Sequence, residues 1–263
     1  MKIIPLDSWE KYHTEIAELQ RQHAGRLILF RGQSNSCWKL RSTLERFSKS
    51  HWTIREYSKL AISCAPQIES LTEKSFNIPT ITETEKELNE IFHEYLIKIP
   101  SRLFELLVYL RHHEFPSPLL DWSSSPDIAA FFAFSKRVEN ESVAVIAYIE
   151  VPEGTKSVWA GEPQITAIMP PNDAHKRHHL QKCYYTVSTI PKDKDHEFVC
   201  HEDVFTKEEP RQDILIKYVI PSSERIKVLK FLDRKHINHF SLMESEEALL
   251  KTLAFRELEI KNL

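Results

Sequence analysis

Three consecutive residues at the end of a short apolar run, Arg31, Gly32 and Gln33, have the chemistry to bind an anionic or ribose-bearing ligand. A guanidinium at the end of a buried strand is costly to desolvate without a partner, and its donors fit phosphate and carboxylate groups. Gly32 permits close approach of a ligand or another backbone, and Gln33 adds a directed amide. A structural Arg–carboxylate pair beside a turn glycine is the alternative.

A second group of candidate residues lies between His112 and Pro126, where an apolar helix gives way to a proline- and serine-rich loop or irregular strand. His112 and Asp121 have side chains that carry protons in enzymes, and Trp122 offers a flat face to a base or nicotinamide ring. The alternative is that Asp121 caps the following helix while Trp122 fills the core. The sequence leaves both interpretations of His112 and Asp121 open.

A third group is the basic run from His175 to His179, followed by Gln181 and Thr186 near the start of a predicted strand. Such a run could attract an anion, although a solvated basic turn is its usual explanation.

Composition excludes several other classes of site. No P-loop, G-x-G-x-x-G or G-x-S-x-G motif occurs, so a nucleotide would have to be held by side chains. Thirteen histidines include no H-E-x-x-H, and adjacent histidines point apart on a helix, so no metal is expected. The four cysteines form no C-x-x-C pair and are expected as free thiols.

Charge and hydropathy bear on location and partners. The net charge of -3 gives no support to a nucleic-acid partner held by phosphate neutralisation, although a local basic groove stays compatible with it. No apolar run approaches the roughly 20 residues that span a bilayer, and no signal-peptide core is present. We therefore expect a cytoplasmic protein without a membrane partner.

Periodicity predicts the elements that would position these residues. Helices are predicted over residues 7–23, 52–69, 85–99, 101–113, 222–233 and 244–255, and over a segment beginning at Pro126 with Ser125 as its cap. Strands are predicted over residues 27–32, 142–151, 164–169, 183–188 and 214–220. Residues 38–44 are expected to be extended, and residues 72–84 to form an exposed loop or insertion. Without a regular βαβ period, this pattern favours one α+β domain over residues 1–263, with a mixed or antiparallel sheet core.

The motifs resemble the FRG domain family, named for the Phe-Arg-Gly run found here as Phe30-Arg31-Gly32. The similarity continues through Gln33, Trp38, His112, Phe115-Pro116, Leu119 to Ser123, Ser125-Pro126, Ala129 to Ala133, Arg177, Gln181, Tyr185, Thr186 and the closing segment 222–255. Departures from the family pattern stand at Glu114, Pro118 and Cys183. Pro118 stands where the family often has Arg, so this chain lacks a cation there that could have bound an anionic ligand.

The order of motifs is also similar to the ADP-ribosyltransferase layout, with its split sheet. In that class an Arg or His binds NAD, a Ser-x-Ser motif supports the pocket, and a Glu or Gln on a later strand orients the ribose. The similarity implies NAD as cofactor. By position, Arg31, Gly32 and Gln33 would bind it, Trp122, Ser123 and Ser125 would shape the nicotinamide pocket, and Gln181 would take the late-strand position.

The resemblance implies an enzyme that transfers ADP-ribose to a macromolecular acceptor, either protein or nucleic acid, in a setting such as antiphage defence. Cleavage of the nicotinamide–ribose bond builds positive charge on the ribose, which a nearby carboxylate stabilises. The side chain of Gln181 has no charge, so Asp121 would supply the negative charge that stabilises the ribose. His112 would act as a proton carrier. The alternatives are a non-catalytic nucleotide-binding or sensor module and a nucleic-acid-acting effector.

Overall fold

A computed structural model describes residues 1–92, 99–138, 141–152, 162–169, 176–204 and 213–261. This part of the chain contains eight strands: β1 Lys2–Pro5, β2 Leu29–Gln33, β3 Leu120–Ser123, β4 Ser142–Ile149, β5 Gln164–Ile168, β6 Cys183–Lys192, β7 Asp195–Phe198 and β8 Ile214–Pro221. Its α-helices are α1 Trp9–Gln22, α2 Thr43–Phe47, α3 Ile54–Thr72, α4 Ile81–Phe92, α5 Phe104–His112, α6 Pro126–Phe134, α7 Lys176–Gln181, α8 His201–Val204, α9 Arg225–Arg234, α10 His239–Met243 and α11 Glu246–Ala254. Short 3-10 turns at Ser101–Leu103 and Ser222–Glu224 precede α5 and α9, and a π-helical segment, Phe255–Ile260, follows α11.

The strands form one open sheet in the order β1-β8-β4-β2-β3-β6-β5, with β7 paired to β6. The β1–β8 pair is parallel and the other pairs are antiparallel. In the centre, β2 pairs with β4 at five positions, but with β3 only through Phe30 and Ser123. The sheet therefore consists of two halves that are joined at a single residue pair.

Strand β4 is buried on both faces, which explains its continuous apolar sequence. One face contributes Val143 and Val145 to a cluster with α1, α6 and α9, and the other contributes Ile146 and Tyr148 to a cluster with Trp122 of β3. A further cluster packs α3 and α5 against β6 and β7. The predicted α+β class with a mixed sheet is thereby confirmed, whereas the ADP-ribosyltransferase arrangement and the single-domain assignment stay predictions.

Helix α6 lies directly against β2 at Gly32. A Cβ atom added at Gly32 would lie 2.0 Å from the carbonyl oxygen of Ala129 and 2.5 Å from the backbone nitrogen of Ala133. The glycine is thus needed for close approach of the helix backbone, one of the two uses that the sequence allowed. Ser125 caps α6 as predicted, because its hydroxyl accepts a hydrogen bond from the backbone N–H of Ile128.

The long elements follow the sequence prediction and the short ones do not. Helices α1, α3, α6 and α9 and strands β2, β4, β5 and β8 lie within a few residues of their expected bounds. Strands β1 and β7 and helices α2, α7, α8 and α10 have no separate counterpart in the prediction, and none of them exceeds six residues. Strand β3 lies in the segment that the sequence left open as a loop or an irregular strand.

Several predicted boundaries were wrong. Residues 101–103 form a 3-10 turn, and Ser101 makes no capping hydrogen bond to α5. Residues 73–80 lack regular structure, but α4 begins at Ile81 because Thr80 and Glu83 bond to each other at its start. Of the helix predicted over residues 85–99, residues 93–98 lie outside the described part of the chain.

Candidate functional site

A cavity of about 850 Å³ opens where the two halves of the sheet part. Its wall is strongly cationic. The basic side chains that border it are Arg31, Lys39, Arg41, Arg46, Arg111, Lys136 and Arg177, whereas the carboxylates are those of Asp121 and Glu114. A net charge of -3 for the whole chain therefore conceals a local excess of positive charge.

Arg31 emerges from β2 and reaches across to β3. Its Nη1 donates a hydrogen bond of 2.5 Å to the backbone carbonyl of Asp121, and its buried Nε has no partner within the described residues. Among those residues no carboxylate lies at ion-pair distance from Arg31. Burial lowers the pKa of Arg31 to about 10, with Asp121 opposing the shift and the Arg111 and Arg46 charges adding to it. The guanidinium is still charged at neutral pH and faces open space.

Within the described residues, the carboxylate that acts on Arg31 is that of Asp121, and it is already engaged. Asp121 Oδ2 lies 2.5 Å from Arg111 Nη2, while its buried Oδ1 has no partner in the described structure. Burial, and next the charge of Arg111, lower the pKa of Arg46. Three guanidinium groups therefore interact with Asp121, and Glu45 offsets Arg46 as well, so positive charge is still in excess at the cavity wall.

His112 borders the same cavity at the end of α5 and is held by two buried side chains. Its Nε2 lies 2.9 Å from the hydroxyl of Tyr185 and 3.0 Å from Nε2 of His178, and that hydroxyl is 3.1 Å from His178 Nε2. Burial raises the pKa of Tyr185 well above its ordinary value, so the phenol stays protonated. These three groups form a connected path for a proton from the cavity into the core.

The basic run near residue 177 is not a solvated turn. Residues 176–181 form α7, in which His178 is buried against Tyr185 and Arg177 reaches the cavity. Lys176 pairs with Glu244. His175 lies outside the described residues.

Trp122 is a core residue whose edge reaches the cavity wall. Its side chain is 2% exposed, and its indole N–H donates to Thr186 Oγ1 at 2.7 Å. The same hydroxyl lies 2.7 Å from Nε2 of His201. Burial, and next the charge of Arg31, lower the pKa of His201 to about 3. The ring expected to face a ligand is thus part of a buried hydrogen-bonded chain behind Arg31.

The two serines of the expected Ser-x-Ser pocket hold the backbone together. Ser123 Oγ donates to the carbonyl of Gln181 at 2.7 Å and accepts from the backbone N–H of Ser125. Ser125 caps α6 and is not among the residues bordering the cavity. Ser123 therefore joins β3 to the end of α7, at the base of the cavity.

Gln181 borders the cavity but not from a strand. The expectation of a late-strand position is wrong, since Gln181 is the last residue of α7 and β6 begins at Cys183. Its amide donates to the carbonyl of Leu242 at 2.9 Å, and its side-chain oxygen lies 3.7 Å from Cys183 Sγ. The side chain thus attaches α7 to α10, which leaves it poorly placed to orient a ribose.

Gln33 also has a structural partner. Its Nε2 donates to the carbonyl of Lys39 at 3.2 Å, so it holds the loop that follows β2, while its buried Oε1 has no partner among the described residues. Gly32 borders the cavity, although the space its missing Cβ leaves is filled by α6.

Sequence reasoning missed most of the cations and one aromatic residue. Arg46 and Arg111 lie on helices α2 and α5, and Lys39 and Arg41 lie on the loop after β2. The signal for Arg111 was available, because it interrupts the apolar helix that ends at His112. Trp38 borders the cavity with 46% of its surface exposed, yet the sequence marked it only as part of a motif.

A second cavity, of about 1250 Å³, lies between α6, α9, α10 and α11. It shares Glu114, Phe132, Ser135, Lys136, Arg177 and Met243 with the first. The two cavities are therefore adjacent, with Lys136 and Arg177 at their boundary.

The described residues lack the features of a metal site and of a membrane span. That part of the chain holds no group of three or more His, Cys, Asp or Glu side chains arranged for a metal ion. None of its helices combines the length and apolarity needed to cross a bilayer. Its four cysteines are free thiols, and burial raises the pKa of Cys183, at the cavity wall, to about 12.

The fold and the site together define an α+β protein with an open mixed sheet and an arginine-lined cavity at its centre. Residues 26–142, which carry β2, β3 and α6, match the family model of the FRG domain. This segment is thus similar to the FRG domain, as its motifs indicated. No match to the chain was found among curated proteins or among solved structures.

Proposed function

We propose that the cavity binds a phosphate-bearing nucleotide, with NAD as the ligand that the motif order favours. The observation that carries this proposal is the excess of cations at the wall, where Arg31, Arg46 and Arg111 interact with Asp121 and Glu45 offsets Arg46 as well. An uncompensated buried charge destabilises a fold, by on the order of 3 kcal/mol when one partner of a buried ion pair is removed. A phosphate group would restore the charge balance.

The size and openness of the site suit such a ligand. Cofactor and small-molecule pockets have volumes of about 300–1,000 Å³, and the cavity has about 850 Å³. Guanidinium groups bind phosphate through paired charge-assisted hydrogen bonds, which replace the glycine-rich loop that this sequence lacks. Arg31 borders the cavity, so its guanidinium is placed to take part in such binding.

Thermal unfolding in the presence of NAD and of ADP tests the proposal. A ligand at a hundred times its Kd stabilises the fold by about 2.7 kcal/mol, which raises the Tm of a protein of this size by roughly 5–10 °C. Arg31→Ala should abolish the shift. Arg21→Ala is the matched control, because it removes the same charge from an exposed pair on α1.

Two outcomes contradict nucleotide binding. The first is the absence of any shift with either nucleotide in the wild-type protein, and the second is an unchanged shift in Arg31→Ala.

ADP-ribosyl transfer is a second candidate, favoured by the position of Asp121 and His112 on the same wall. A carboxylate beside the nicotinamide–ribose bond would stabilise the positive charge that develops on the ribose as the bond breaks. His112, backed by Tyr185 and His178, could move a proton to or from the acceptor. The adjacent second cavity supplies room for that acceptor.

The two candidates differ in the fate of the ligand. Incubation with NAD, followed by chromatography, should yield free nicotinamide if transfer or hydrolysis takes place. Recovery of intact NAD from a protein that it stabilises would favour the binding or sensor alternative. The position of Gln181 on α7, with its amide turned to Leu242, supports that alternative over turnover.

A further inference from the structure

Trp38 is an exposed aromatic residue on the wall of the cavity. Its exposed fraction is 46%, whereas the described tryptophans Trp9 and Trp122 are at most 3% exposed and Trp52 is half-buried. In the described part of the chain no aromatic ring stacks on the indole. The indole face is therefore open to a ligand, and a ligand that covered it would remove apolar surface from water, which is favourable.

The loop that carries Trp38 is fixed from beneath. Lys217 of β8 is buried, and its Nζ donates to the backbone carbonyls of Ser36 at 3.2 Å and of Trp38 at 2.9 Å. The N–H of Leu40 donates to Glu202 at 3.2 Å. Burying a lysine is costly, and here the cost is offset by the two hydrogen bonds to loop carbonyls and by an ion pair with Glu202 at 3.6 Å. The backbone at Trp38 is thus fixed before any ligand binds.

Cations border the same cavity as this aromatic face. Lys39 and Arg41 follow Trp38 in the loop, and the guanidinium groups of Arg31, Arg46 and Arg111 also border the cavity. A flat apolar surface next to phosphate-binding donors is complementary to a nucleotide, since every base has a face that stacks and every phosphate needs positive partners.

We propose that Trp38 is the surface on which the base of the bound nucleotide stacks, in place of Trp122. This inference rests on the proposed function and narrows its ligand class. The site then selects a nucleotide with an aromatic base over sugar phosphates and inorganic polyphosphates. Preorganisation of the loop by Lys217 reduces the ordering cost of binding.

Calorimetric binding of ADP and of inorganic pyrophosphate to Trp38→Ala and Trp38→Phe tests the role of the ring. Stacking of a base on an aromatic side chain predicts that Trp38→Ala weakens ADP binding by about fivefold to a hundredfold. Trp38→Phe should retain most of the affinity, and both variants should bind pyrophosphate as the wild type does. Binding of ADP should also quench tryptophan fluorescence in the wild type and not in Trp38→Phe.

The outcomes separate the two proposals. Unchanged ADP affinity in Trp38→Ala overturns the role of Trp38 and leaves nucleotide binding intact. Failure of both ADP and pyrophosphate to bind the wild-type protein overturns the proposed function itself. Phe47→Ala removes an aromatic side chain that is 80% exposed outside the cavity, and it should leave the affinity for ADP unchanged. Equal melting temperatures of the three variants would show that a loss of affinity is not a loss of fold.

Discussion

Asp121 is the residue on which the charge balance of the cavity depends. It offsets three guanidinium groups, yet only Arg111 contacts its carboxylate directly. Two effects of this carboxylate oppose each other: it weakens the attraction of the wall for phosphate, and it would stabilise a cationic ribose. Replacement of Asp121 can therefore separate binding from chemistry.

For Asp121→Asn we expect tighter binding of ADP. The change removes one negative charge a few ångströms from the phosphate donors, and charges at that distance interact by about 1–4 kcal/mol at effective dielectric constants of 80 to 20. Calorimetry should show an affinity several-fold above that of the wild type, with a steeper dependence on salt. Glu18→Gln, an equal charge change on α1, is the control.

Any release of nicotinamide should fall in the same Asp121→Asn variant, because the amide cannot stabilise the cationic ribose as a carboxylate does. Weaker ADP binding in Asp121→Asn than in the wild type would contradict the placement of phosphate beside this side chain.

Among the elements, the contact between β2 and α6 places the strand end that carries Arg31. Gly32 allows the helix backbone to lie against the strand, and no other residue type leaves that space. The position of Arg31 relative to β3 therefore follows from a packing contact on the opposite side of the strand.

Gly32→Ala is expected to destabilise the protein severely. Its Cβ would overlap backbone atoms of Ala129 and Ala133, which cannot move without shifting α6, and overpacking of this kind costs about 3 kcal/mol or more. Gly25→Ala is the control, since Gly25 has a φ of 79° but open space around it, and strain there costs about 1 kcal/mol. Denaturant midpoints measure both losses, and an equal loss in the two variants would contradict the close contact.

The elements also show how far sequence reasoning reaches. Helix α6 was predictable because Ser125, Pro126 and the apolar positions after them all favour a helix start. Strand β4 was predictable because burial of both its faces produces an unbroken apolar run. Strands of four residues such as β1 and β3 have too few positions to show a period, and their neighbours in the sheet are distant in sequence.

The candidate residues divide in the same way, into those with a local sequence signal and those that only the folded arrangement reveals. The sequence located Arg31, His112 and Asp121 at the cavity, because unusual polar residues interrupt apolar segments there. It assigned Trp122 to the ligand site, but the face of β3 on which the indole lies depends on the pairing of β3 with β6. That pairing buries the indole, and the sequence alone does not reveal it. Arg46 and Arg111 come from separate helices, so only the folded arrangement reveals that they converge.

At the scale of the whole molecule, stability is coupled to pH through His201. This imidazole is buried and neutral, with a pKa lowered to about 3 by burial and by the charge of Arg31. The unfolded chain binds the proton near pH 6.5, so the stabilising contribution is full above that pH and is lost as the pH falls toward 3.

We expect the wild-type protein to lose about 1 kcal/mol, or roughly 2–4 °C in Tm, between pH 6.5 and 5.5 through this group. His201→Gln should remove that part of the pH dependence, although its Tm at pH 7.5 should be lower because a buried hydrogen bond to Thr186 is altered. Thermal unfolding across pH 5 to 8 measures both effects. Identical slopes for the two proteins would show that His201 is already accessible to protons in the folded state.

The strand order has a consequence for how the protein is made. Residues 26–142 supply β2 and β3, but the outer neighbours of these strands are β4, which begins at Ser142, and β6, which begins at Cys183. Strand β8, which supports β4, ends only at Pro221. A ribosome delivers a chain from its N-terminus, and pairings between remote segments form late. Arg31, Arg46 and Arg111 are thus synthesised before β4, β6 and β8, the strands that complete the sheet around them, and the proposed anion site would be complete only after β8 has left the exit tunnel.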